Sequence, residues 1–212
     1  GAVIGQPAVA VSGQVSADAQ EVAVAGSPAT LAAPQGAWRT FSLASVPLAA
    51  GTNGIQHHAA DQAGNATETV LHVDRDTLAP LVAIFAPAPD TVTAQAAVAV
   101  SGTASDAHLA GVSVNGVPAV AGGGTFTAQT ALVEGVNSIV ATTVDAVGLV
   151  STASVTVTRD SQPPTIVVYE SGLPFEAPLT LGRPAVFTAE ARDATAVVLS
   201  ATVDGGAYAL GT

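Results

Sequence analysis

Asp74, Asp76, Asp106, Asp145, Asp160 and Asp193 are the residues of this chain whose type and spacing could do chemistry. Carboxylates brought close together either share a cation or must be held apart by hydrogen-bond donors. Two of them bracket an arginine in Asp74-Arg75-Asp76, and the pair Arg159-Asp160 recurs further on. The other reactive groups are few. With no cysteine, the chain can form neither a disulfide nor a thiolate metal site. His57 and His58 are neighbours on a predicted strand, so their side chains point to opposite faces and cannot chelate together. A turn at 61–65 would place His72 opposite residue 54, away from both. His108 lies two residues after Asp106 with no nucleophile beside it. Neither a glycine-rich phosphate loop, a metal-protease helix nor a serine elbow occurs, so no enzymatic activity is expected.

Around these groups the chain is made for sheets. Hydrophobic residues make up 49% of it, charged residues 10%, and the aromatics are one Trp, two Tyr and five Phe. Cores built from Val, Ala and Thr are thin layers of small and β-branched side chains, which favours strands over helices. The net charge of −11, with five arginines and no lysine, repels phosphate backbones and anionic lipid surfaces. Nucleic acid is therefore excluded as a partner. Membrane insertion is excluded too, because no apolar run reaches the length of a spanning helix. Methionine is absent even at position 1, so the chain is expected to be an excised piece of a larger polypeptide.

The sequence repeats itself. Val9-Ala-Val-Ser-Gly13 returns as Val98-Ala-Val-Ser-Gly102, and the Val22, Val24, Gly26, Pro28 spacing returns at Val112, Val114, Gly116 and Pro118. Gly51-x-Asn53-x-Ile55 returns as Gly135-x-Asn137-x-Ile139. Asp61, Gly64, Val73, Arg75, Asp76 and Pro80 return at Asp145, Gly148, Val157, Arg159, Asp160 and Pro164. The offset falls from 89 to 84 along the copy, which predicts a longer loop near residues 30–50 of the first. In the second copy the period-two runs predict strands near 82–85, 96–103, 111–115, 117–120, 125–131, 137–144 and 150–158, with a tight turn at Asn115-Gly116. A third copy begins after Pro163-Pro164, where Val186–Asp193 and Ala201–Gly205 echo Val98–Asp106 and Val112–Gly116.

This order of motifs, Val-Ser-Gly-Thr-x-Ser-Asp, Val-x-Val-Asn-Gly, Leu-x-x-Gly-x-Asn-x-Ile, Asp-x-x-Gly and Arg-Asp-x-x-Pro-Pro, resembles bacterial immunoglobulin-like repeats, found in tandem in large secreted and surface proteins. The expected fold is all-β: immunoglobulin-like sandwiches of about seven strands at 1–78 and 79–161, and a partial third at 162–212. The resemblance implies an extracellular or cell-surface location. It also implies a structural or spacer role, with the rest of a larger polypeptide as partner and adhesion as one use. Two other roles stay open. One is an accessory carbohydrate-binding module of a polysaccharide-acting enzyme, with Trp38, in the longer loop of the first copy, touching a surface glycan. The other is a fibre in which neighbouring copies complete the third sandwich by strand exchange.

In a sandwich of this kind the B-to-C and F-to-G loops share one end with the entry to strand A. Asp74 and Asp76 of the first linker should then meet Asp106 and Asp145, and Asp160 should meet Asp193. Two arrangements would satisfy such carboxylates. Calcium could bind among them, as the resemblance to surface adhesins also implies. Alternatively, Asp106 and Asp145 cap turns through backbone amides while Arg75 and Arg159 neutralise the linker acids. Asn53 and Asn137 are expected to hydrogen-bond across their turns. Asn65-Ala-Thr67 matches the N-glycosylation pattern only by chance.

Overall fold

The computed structural model describes residues 1–170, 173–174, 187–192, 201–203 and 206–208, and among these there is no helix. The first copy forms β1 (Ala2–Ile4), β2 (Ala8–Ser16), β3 (Ala19–Val24), β4 (Ser27–Pro28), β5 (Thr30–Leu31), β6 (Trp38–Pro47), β7 (Gly51–Asp61) and β8 (Ala66–Arg75). They make a five-stranded sheet in the order β1-β8-β7-β3-β4 and a three-stranded sheet β2-β6-β5. Alternation decides which side chains face inward. Val11 and Val46 from the small sheet close on Val22, Val24, Ile55 and Val73 from the large one, with Leu48 sealing one end.

The second copy forms β9 (Leu81–Ala86), β10 (Thr91–Thr93), β11 (Ala97–Ser105), β12 (Leu109–Val114), β13 (Val117–Pro118), β14 (Val120–Gly122), β15 (Thr125–Ala131), β16 (Gly135–Asp145) and β17 (Val150–Arg159). Its sheets run β10-β17-β16-β12-β13 and β14-β15-β11-β9. The buried set repeats residue for residue: Val11, Val22, Val24, Leu48, Ile55 and Val73 have the counterparts Val100, Val112, Val114, Leu132, Ile139 and Val157, and all twelve are buried. The internal repetition of the sequence is thus a repetition of its cores. The third copy contributes β18 (Thr165–Glu170), β19 (Leu173–Pro174), β20 (Phe187–Arg192), β21 (Ala201–Val203) and β22 (Gly206–Tyr208).

Two details of the sequence reading change. The expected single strand at 117–120 is two strands, β13 and β14. An additional strand, β10, pairs in parallel with β17, just as β1 pairs with β8. The longer loop falls where the change of offset placed it. Leu31 pairs with Phe41 ten positions on, whereas Ala121 pairs with Phe126 five positions on.

The stretches 76–80 and 160–164, where the unit boundaries were expected, carry no strand. By compactness the chain resolves into two units. One holds Gly1–Phe85, Ser101–Ala128 and Val140–Ala153, and the other holds Ala86–Val100, Gln129–Ile139 and Ser154–Thr212.

The hairpin turns show what each copy requires locally. Asn115 and Gly116 both take positive φ, 47° and 79°, the conformation of a type I′ turn. In the first copy Ala25 holds φ 49° at the same place, a left-handed conformation that its Cβ disfavours. The Ala25 amide donates to Gln56 as the Asn115 amide donates to Val140, and the Asn115 side chain also accepts from the Val140 amide. Ala25→Asn should therefore stabilise the protein by about 1 kcal/mol. Chemical denaturation checks it, and a loss of stability would contradict the turn assignment.

Candidate functional site

The acidic residues flanking the first linker are positioned by strand ends and short turns. Asp74 sits near the end of β8, held in register opposite Val3 on one side and Thr52 on the other. Asp76 follows the strand. Its backbone amide donates to Ile4, and its Oδ1 accepts from the Leu78 amide at 3.1 Å, so the chain turns on its own side chain. Asp106 begins the turn between β11 and β12, where its Oδ1 accepts from the His108 amide at 2.7 Å. Asp145 ends β16 and is only 3% exposed. Its Oδ1 accepts from the amides of Val147 and Leu149 at 2.9 and 2.8 Å, while its Oδ2 is buried with no partner among the described residues.

His108 ties these pieces together. Its Nδ1 lies 2.9 Å from Asp76 Oδ2 and its Nε2 lies 3.3 Å from Asp74 Oδ2, so both ring nitrogens face linker carboxylates. A neutral ring donates to one of them and an imidazolium donates to both. The His108 carbonyl accepts from Ala146 at 2.9 Å, which fastens the turn carrying the histidine to the turn that follows Asp145. Beside this network Val147 covers Gly5, where an added Cβ would stand 3.4 Å from the valine Cβ.

The structure thus brings Asp74, Asp76 and Asp106 together around a residue that sequence reasoning had set aside. His108 is the only histidine of the second copy, and its place in the loop beside Asp106 was the available signal. The arginines do other work. Arg75 donates to the Leu48 carbonyl at 3.1 Å and Arg159 faces Glu134 at 3.7 Å; among the described residues neither forms an ion pair with a linker carboxylate. Asp76, Asp106 and His108 offer ligand atoms within 4.8 Å of one another. Two carboxylates and an imidazole nitrogen are not the all-oxygen set that calcium takes, and three of the carboxylate oxygens already accept hydrogen bonds.

At the second linker Asp160 repeats the pattern of Asp76. Its amide donates to Thr93, its Oδ1 accepts from Gln162 at 3.2 Å, and its Oδ2 is buried with no partner among the described residues. Asp193 lies outside the described residues.

Hydrogen bonds from Leu78 first, and then from His108, hold the Asp76 carboxyl below its ordinary value of 3.8. A depressed folded pKa means the ionised form stabilises the fold. That contribution is fully present above pH 3.8 and is lost as the pH falls through the folded value. Asp76→Asn should therefore lower the melting temperature at neutral pH, and the difference should vanish once the Asp76 carboxyl of the parent is protonated. A constant gap down to about pH 2 would contradict this.

Away from the linker, Trp38 is the first residue of β6 and not part of a loop. It pairs with Ser16 and is 55% exposed. Arg39 is structural, donating to the carbonyls of Ala32 and Ala19. The ring centroids of His57 and Phe41 lie 6.1 Å apart at an interplanar angle of 62°, His58 reaches Glu68 at 3.4 Å, and His72 stands opposite Gly54. Asn53 and Asn137 bind their turns in the same way, Asn137 Nδ2 also reaching the Val157 carbonyl at 3.5 Å. The Oδ1 of each accepts from Ala49 or Val133, and each Nδ2 donates to that residue's carbonyl and to Gly51 or Gly135.

Residues 80–161 match the family model for glucodextranase, domain B. The chain is a tandem of immunoglobulin-like β-sandwiches. No curated protein matches it. Among solved structures, these immunoglobulin-like repeats are similar to the fibronectin(III)-like modules of CbhA from Clostridium thermocellum, at 16% identity and TM-score 0.41, over 76% of this chain and 90% of that one. An I-band fragment of titin aligns at 7% identity and TM-score 0.49, over 97% and 91%. SGBP-B from the mixed-linkage glucan utilization locus of Bacteroides ovatus, solved with a mixed-linkage heptasaccharide, aligns at 15% identity and TM-score 0.24, over 78% and 44%.

Proposed function

We propose that this chain is a non-catalytic spacer, a structural arm of a larger extracellular polypeptide. The observation that carries the reading is the bridge from His108 to Asp74 and Asp76, which uses side chains to fix a linker that backbone alone would leave free to bend. A spacer needs cores that close separately and joints of set stiffness, and the chain has repeated cores and a hydrogen-bonded joint. Pulling the chain by its ends tests this. The first two sandwiches should unfold in separate events, each releasing roughly 80 residues, or about 280 Å of contour length. A single event spanning residues 1–160 would overturn the reading. The joint is expected to hold without calcium, so millimolar calcium should leave the melting temperature unchanged.

The exposure of Trp38 favours one further reading, an accessory carbohydrate-binding module. An exposed indole offers an apolar face on which a sugar ring can stack; the family model named from a glucodextranase matches residues 80–161, which do not include Trp38. Retention on insoluble polysaccharide that disappears with Trp38→Ala would support it; retention that ignores the substitution would remove Trp38 as the anchor. Completion of the third sandwich by a neighbouring copy concerns a stretch that lies largely outside the described residues.

A further inference from the structure

We propose that His108, Asp74 and His72 form a binding site for a divalent transition cation of the zinc type. The two contacts of the His108 ring differ in kind. Nδ1 lies 2.9 Å from Asp76 Oδ2, the ordinary length of an N–H···O hydrogen bond, whereas Nε2 lies 3.3 Å from Asp74 Oδ2. Asp76 is only 9% exposed and its other oxygen is held by the Leu78 amide, so it is the carboxylate placed to keep the ring proton on Nδ1. That tautomer leaves the Nε2 lone pair facing a carboxylate oxygen. Two acceptors so close repel each other unless positive charge lies between them.

A proton or a metal ion can supply that charge, and the spacing suits the metal. Zinc binds imidazole nitrogen and carboxylate oxygen at about 2.0–2.2 Å, so two such ligands at a tetrahedral angle stand about 3.4 Å apart. A metal-bound histidine also commonly donates its other N–H to a carboxylate, which fixes the tautomer and the ring plane. Asp76 takes that outer role here, and Asp74 with His108 Nε2 takes the inner one.

His72 supplies the third ligand. Along β8 residues 72 and 74 share one face, while Val73 between them is buried in the core. His72, Asp74, His108 and Thr52 line one cavity of about 210 Å³, which leaves room for water in the fourth position. The exposed His72 ring stands over Gly54, and a change of rotamer carries it toward Asp74. No arginine lines the cavity, and the net charge of −11 favours entry of a cation. Two imidazoles and one carboxylate select zinc-type ions over calcium, which takes oxygen ligands. In the second copy Thr156 and Thr158 stand where His72 and Asp74 do, so the repeated fold does not itself require the pair.

Calorimetric titration of zinc chloride into the chelator-treated full chain tests the proposal. Saturable binding of a single ion is expected, and excess calcium should not compete. His108→Ala should weaken it by about a hundredfold, and His72→Ala, at an exposed position, by about tenfold. Asp76→Asn should weaken it by about tenfold as well, through the outer hydrogen bond. His58→Ala, at the other contact between a histidine and a carboxylate, should change nothing. Nitrogen-15 spectra of the zinc-loaded chain should show His108 protonated on Nδ1 and metal-bound on Nε2. No saturation at about millimolar zinc, an affinity that either His108→Ala or His72→Ala leaves unchanged, loss of binding in His58→Ala, or metal on Nδ1 would each overturn it. These measurements read binding alone, so they stand or fall separately from the spacer role.

Discussion

Replacing Gly102 with alanine is expected to cost about 3 kcal/mol, more than most single methyl additions. The new Cβ would overlap the Ala83 carbonyl and stand 2.7 Å from the Phe126 ring, so both a neighbouring backbone and the largest fully buried side chain must move. Neither moves cheaply, because one is a strand backbone and the other is a close-packed ring. Gly13→Ala should cost less, since only the partly buried Phe41 ring has to give way. Urea denaturation of the two variants gives the comparison directly. Equal losses would show that the β9 carbonyl does not matter.

Removing the ring itself has the other large effect. Phe126 is 1% exposed, and Phe126→Ala should destabilise by about 4 kcal/mol through lost burial and the cavity left behind. Phe41→Ala, at the equivalent but more open position, should cost about half as much. The double variant Gly102→Ala with Phe126→Leu should lose less than the sum of its parts, because a smaller side chain makes room for the added methyl. Strict additivity would mean that ring and glycine do not touch.

Much of this was legible in the sequence because the repetition that carries the fold is a repetition of its core. Val22 and Val112, or Ile55 and Ile139, occupy matching inward positions on matching strands, so a self-comparison of the sequence is a comparison of buried faces. Asn53 and Asn137 were readable for a similar reason, since their hydrogen bonds are local and span four residues. What the sequence hid was long-range. Thr91–Thr93 shows no useful alternation and becomes a strand only through parallel pairing with β17, more than sixty positions away. Trp38 was placed in a loop because the fall in repeat offset put the extra residues near 30–50, while its pairing with Ser16 depends on register fixed elsewhere in β2 and β6. From the sequence, the linker acids were placed near Asp106, with calcium or the neighbouring arginines as what would satisfy them. Arg75 instead satisfies the Leu48 carbonyl, and the imidazole of His108, thirty-two residues from Asp76, takes its place.

The joint also explains why so acidic a chain tolerates carboxylates at its linker. Asp74, Asp76 and Asp106 are each engaged by a backbone amide or by the imidazole, so hydrogen bonds disperse the charge that would otherwise splay the linker. Asp61 shows the same economy in the first copy. There the side chain of Asn65 first, and then its amide, depress the carboxyl below 3.8.

The account rests on a fixed joint at Asp74–Asp76 and His108, and spin-label distance measurement tests it most directly. The chain has no cysteine, so labels introduced at the exposed residues Gln56 and Val117 would be unique. A single narrow distance distribution is predicted for the parent chain, broadening when Asp76 and His108 are both replaced by alanine. A broad distribution in the parent, or a width that the double substitution leaves unchanged, would contradict it.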